Sequence, residues 1–144
     1  MDSVRSRLKT VLKVKKNMEK KAHGELVEVR KVKQREAERL DEMQNNNEAA
    51  MAMAGKTTKA RATDLQAHRA FLQKLSKQIH EQKRKIQNIA HKEDAKRQVL
   101  IEKSQEKKVV EKLDERREAE ELKELEKKYQ SVIDMLAQRM RFEF

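Results

Sequence analysis

The stretch AMAMAGKTTKA, residues 50–60, decides how this chain folds. Gly55-Lys56-Thr57 is the tail of a phosphate-binding loop, and a complete loop of that kind joins a buried strand to a helix. The loop needs a first glycine five residues before the second, so that the backbone turns tightly and aims its N–H groups at phosphate. That position holds Ala50. The residues before it are Ala, Met, Glu and Asn in a chain that reads as helix. The stretch is therefore a turn between two helices, with Thr57 or Thr58 placed to cap the second by bonding its free N–H groups.

Outward from that turn the chain is poor in helix breakers. Its 144 residues contain two glycines, no proline and no cysteine, which favours long uninterrupted helices. Charged residues are 42% and aromatics 3%, and the 36% that are hydrophobic are rich in Ala and Met. That is too little to fill a compact globular core, so the expected form is a narrow apolar stripe buried between helices. Without cysteine there is no disulfide framework, and no apolar run approaches the 18 residues of a membrane span or resembles a signal-peptide core. The net charge of +11 favours an anionic partner, whether nucleic acid, lipid or acidic protein. The basic end is the N-terminus, where Arg5, Arg7, Lys9, Lys13, Lys15, Lys16, Lys20 and Lys21 face only Asp2 and Glu19, while LDERREAEELKELE from Leu113 is acidic.

After the turn, spacings of three and four give Leu65, His68, Leu72, Leu75, Ile79, Gln82, Ile86, Ile89, Glu93, Lys96, Leu100, Lys103, Lys107 and Val110. This is a heptad seam, apolar at first and then polar. Following a phase shift near Leu113 it resumes as Leu122, Leu125, Tyr129, Val132 and Leu136. Before the turn the stripe reads Leu8, Val11, Lys15, Met18, Ala22, Leu26, Val29, Ala37, Leu40 and Met43, with Met18, Val29 and Leu40 spaced by eleven. The expected architecture is all-α: one elongated antiparallel coiled-coil hairpin over residues 1–144, with a first helix over about 3–52, a turn over about 53–58 and a longer second helix over about 59–141. Around a turn centred near Thr57, Leu40 should meet Leu75 and Leu26 should meet Ile89. A first helix of roughly 75 Å and a second of roughly 120 Å leave some 30 residues of overhang, beginning near Val110. Its stripe has no intramolecular cover, so it is expected to find a partner chain, a second copy or to fray. Glu93, Lys96, Lys103 and Lys107 occupy seam positions where a tight coil has Leu or Ile; either they set register or they leave the hairpin loose there.

Three stretches carry a resemblance. VRSRLKTVLKVKK (residues 4–16), HRAFLQKLSKQIHEQK (residues 68–83) and VVEKLDERREAEELKELEKKYQSVIDMLAQRMRF (residues 109–142) make the chain similar to the FliJ family of flagellar type III export proteins over nearly its whole length. The resemblance implies a non-catalytic part of the export apparatus, shaped like the central stalk of a rotary ATPase. It implies three partners: the flagellar export ATPase hexamer, the cytoplasmic domain of the export gate protein FlhA, and export chaperones. The implied location is cytoplasmic, peripheral at the cytoplasmic face of the inner membrane. Phe71 and Leu75 match apolar positions of the family's gate-contacting stretch, whereas Gln78 and Gln82 depart from it. The implied ring contacts are Leu122, Leu125, Tyr129, Val132 and Leu136 in the overhang, with Arg5, Arg7, Lys13 and Lys16 approaching acidic ring surface.

Nothing in the sequence assembles a catalytic or cofactor site. His23, His68, His80 and His91 lack the i, i+3 or i+4 spacing that puts two ligands on one helical face, so neither metal nor cofactor is expected. Glu120 and Glu124 are helical neighbours among Lys123, Lys127 and Lys128 and read as a solvated face. The competing reading is a basic coiled coil that binds nucleic acid or serves as a structural scaffold; against it stand the missing aromatic platforms for bases and the absence of a basic helix leading into a parallel zipper.

Overall fold

In the computed structural model the backbone is described for residues 2–56 and 62–143, and side chains for 5–53 and 62–141. All described residues are helical, in α1 (Asp2–Lys56) and α2 (Ala62–Glu143), which pack against each other with no strand among them. Asp64 in the first turn of α2 and Arg141 in the last complement its dipole. α1 runs to Lys56, past the expected end near 52. Gly55, between Ala54 and Lys56, costs only about 1 kcal/mol and does not stop the helix. The capping role read for Thr57 or Thr58 lies outside the described residues.

The chain forms two compact units, residues 22–100 and residues 1–21 with 101–144. In the first, Ala22, Leu26 and Ile89 are buried, together with Gln82 and Glu93. Val29, Leu40 and Met43 of α1 and Leu72, Leu75, Ile79 and Ile86 of α2 are half-buried around them. The α2 seam follows the expected positions from His68 onward, while Leu65 is exposed.

The α1 stripe differs from the expected one. Half-buried or buried residues recur at Arg5, Leu8, Leu12, Lys15, Glu19, Ala22, Leu26, Val29, Lys33, Glu36, Leu40, Met43, Asn47 and Ala50, a strict alternation of three and four. Val11 and Met18, expected in the stripe, are exposed, and Leu12 and Glu19 take their places. The eleven-residue spacing was thus a coincidence of apolar residues on neighbouring faces. The true heptad is hard to see because charged side chains hold five of its positions.

Those charges set the register. Lys85 with Glu36 and Lys96 with Glu25 pair across the 22–100 unit at 3.3 and 3.1 Å, and Lys15 with Glu106 pairs across the other unit at 3.0 Å. In all three the residue numbers total 121 and in the other cross-helix pairs they total 118 to 126, which centres the pairing near positions 60–61 and not near 57. Leu26 is therefore level with residue 95, about 9 Å along α2 from the Ile89 expected opposite it. Leu40 is likewise level with residue 81 and not Leu75.

Candidate functional site

In the unit of residues 1–21 and 101–144, α1 starts where Arg5 meets two carboxylates of α2. Its guanidinium donates to Glu118 at 3.2 Å and to Glu121 at 3.4 Å. The overhang consequently begins near Glu121, later than the expected Val110, which is half-buried. Further ion pairs hold this unit: Lys107 to Glu19 at 3.1 Å, and Lys15 to Glu106 at 3.0 Å. The hydrogen bond from Lys15, reinforced by the charges of Lys103 and Lys15, holds the Glu106 carboxyl below its ordinary range.

Beyond Glu121, α2 keeps its apolar face but has no α1 residue to set it on. Leu122, Leu125, Tyr129, Val132 and Leu136 are all more than half exposed, Tyr129 at 69%. Ile133 and Met140 extend the same face and are equally bare. The sequence reading missed Ile133; its place four residues after Tyr129 and eight after Leu125 was the available signal. Leu122, Leu125, Tyr129 and Ile133, with Glu126 and Gln130, line a shallow groove. Within this unit the α2 face that α1 covers carries Lys103, Lys107 and Asp114 beside Val110. The uncovered continuation is the more apolar of the two, which is the reverse of what solvation alone favours.

The four cations singled out in α1 do not form one cluster. Arg5 is committed to Glu118 and Glu121. Lys13 and Lys16 are exposed and lie on one helical line with Lys9 and Lys20, spaced four, three and four. Arg7 is roughly 120° round the helix from Lys13. Lys9 and Lys13 line a shallow groove with Arg5, Ser6 and Thr10.

In the 22–100 unit Phe71 stands 52% exposed, one step off the seam, while Leu75 is half-buried within it. The polar seam of this unit is tightly paired and not loose. Glu93, 7% exposed, accepts from Lys33 at 2.9 Å, from Arg30 at 3.4 Å and from Arg97 at 3.3 Å. The Lys33 hydrogen bond outweighs the burial that would raise it, so the Glu93 carboxyl lies below its ordinary range. Glu36 is lowered likewise, first by its hydrogen bond with Gln82 and then by Lys85. Gln82, an oddity in the sequence, also donates to the Glu36 backbone carbonyl at 3.0 Å.

Among the described residues no group of three or more His, Cys, Asp or Glu is placed to hold a metal ion, and no helix is long and apolar enough to cross a membrane. The residues leading to Gly55-Lys56 are helix and not a strand entering a phosphate loop. Within each unit the described residues present exposed faces, two of which carry shallow grooves in the unit of residues 1–21 and 101–144. A family model described as the flagellar FliJ protein matches residues 4–142. No curated protein and no solved structure matches the chain.

Proposed function

The chain belongs to the flagellar FliJ protein family, a family of non-enzymatic flagellar export components, and we propose that it serves that apparatus by seating the bare face of α2 in the ring of the export ATPase. One observation carries this reading: the most apolar stretch of the α2 face lies where α1 no longer covers it. A hexameric ring lined by apolar collars supplies such cover from outside the chain. Leu122, Leu125, Tyr129, Val132 and Leu136 are the residues assigned to that contact. Arg7, Lys13 and Lys16 approach acidic ring surface, and Arg5 positions the start of the bare face through Glu118 and Glu121.

The second contact is with the cytoplasmic domain of the export gate protein, at Phe71. An aromatic ring half in water on a helix is suited to fill a partner's pocket. Leu75 belongs to the seam and supports the backbone that presents Phe71. Export chaperones are the third class of partner, and the chain is peripheral to the membrane through the gate. The two assigned surfaces lie in different units, so they are separable by substitution. Leu125→Asp with Leu136→Asp should abolish binding to the ATPase ring and leave gate binding unchanged, and Phe71→Ala should do the reverse. Loss of both contacts in either variant, with the helices intact by circular dichroism, overturns the assignment.

A further inference from the structure

We propose that, away from any ring, the bare face of α2 pairs with the same face of a second copy of this chain, antiparallel about a two-fold axis between Gln130 and Ser131. The spacing of the apolar residues carries this. Leu125 and Leu136 are equidistant from that axis, as are Tyr129 and Val132, and Leu122 is matched by Met140 to within one residue. A face with this inversion symmetry is complementary to itself, which is the condition for a closed two-fold contact. The groove lined by Leu122, Leu125, Tyr129 and Ile133 lies on the same face. It offers a hole for an apolar knob of the partner helix.

Charge selects the direction. The first part of the face carries Glu118, Glu120, Glu121, Glu124 and Glu126 against Lys123 alone. The second carries Lys127, Lys128, Arg139 and Arg141 against Asp134 and Glu143. Antiparallel pairing brings each acidic end to the other copy's basic end, twice. Parallel pairing stacks acid on acid, with Glu121 of one copy approaching Glu126 of the other. A contact of two single helices over under three heptads buries roughly 1,000 Å², at the low end for a specific interface, so the pair is expected to dissociate in the micromolar range. Such a dimer hides the face that would otherwise stay exposed, and it gives way to any partner that binds that face more tightly.

The inference does not rest on the ring reading, and its test contains no ATPase. Leu125→Cys and Leu136→Cys are made separately in the full chain, which has no cysteine of its own. Mixed and oxidised, the two variants should cross-link to a species of twice 17.1 kDa. Each alone should stay uncross-linked, because like positions are then about 16 Å apart along the helices, too far for a disulfide. Sedimentation equilibrium of the unaltered chain should show mass rising from one to two copies with concentration. Self-cross-linking of each variant alone, or a mass of one copy at every concentration, overturns the proposal. Neither outcome touches ring binding, which is assayed separately.

Discussion

Gly24 lies in the middle of α1 with nothing within 4 Å of where a Cβ would stand. Glycine there costs conformational entropy and gains no packing, and its φ is not positive. Gly24→Ala should therefore stabilise the helices by about 0.5–1 kcal/mol, measured by urea or thermal unfolding. Phe71 gives the opposite kind of test. Being half exposed beside the seam, it should lose less than about 0.5 kcal/mol on truncation to Ala. Leu26→Ala, at a position only 2% exposed, should cost about 2–5 kcal/mol. If Phe71→Ala unfolds the chain as readily as Leu26→Ala, Phe71 is a packing residue and its assignment to the gate fails. At this scale most apolar seam residues were readable, Val11, Met18 and Leu65 being exposed exceptions. The sequence was misleading at Glu19, Lys33 and Glu36, whose half-buried stems are invisible to a count of hydrophobic residues.

Between the two helices, register is decided by charge more than by the few buried apolar side chains. In the paired arrangement Glu93 meets Lys33, Lys107 meets Glu19, Glu106 meets Lys15 and Lys96 meets Glu25. A slip of one heptad either way keeps the seam facing inward but changes every one of these partners. Glu93 would then face Leu26 or Leu40, Lys107 Leu12 or Leu26, Glu106 Leu8 or Ala22, and Lys96 Met18 or Val32. Each slipped register strands charges against apolar neighbours, so the ladder acts against misalignment although each exposed pair adds little by itself. Glu19→Lys and Lys107→Glu should each lower the melting temperature. The double exchange should recover part of the loss, a coupling of about 0.5–1 kcal/mol. Acid is the second test. Glu36, Glu93 and Glu106 are held below the ordinary value of 4.5. A depressed folded pKa gives stability that is present above the unfolded value and lost as pH falls through the folded one. Helical signal at fixed denaturant should thus fall below about pH 4.5, while these three groups contribute no change between about pH 5 and 7. Both helices and most of the α2 seam were legible from periodicity. The register was not, because periodicity is blind to a slip of a whole heptad, and the helical last turn through Gly55 displaced the centre from which it was counted.

For the molecule as a whole, the proposed function depends on α2 carrying an apolar face past the point where Arg5 anchors α1, and on the exposed cations Arg7, Lys13 and Lys16 of α1. The overhang and its stripe were readable from unequal helix lengths; where it begins was not, since that follows from the register. What the sequence left open between ring, lipid and nucleic acid was the use of the +11 charge, because charge attracts all three. Salt separates the contributions: contacts of Arg7, Lys13 and Lys16 should weaken as the Debye length shrinks to about 10 Å at 0.1 M, while contacts of Leu122, Leu125 and Tyr129 persist. The most direct measurement is the rate of ATP hydrolysis by the export ATPase, across a range of salt, with the full chain and with a chain lacking residues 120–144. The account predicts stimulation by the full chain that declines only in part with salt. It predicts no stimulation by the shortened chain, whose remaining helices still give a helical spectrum. Full stimulation by the shortened chain would contradict it.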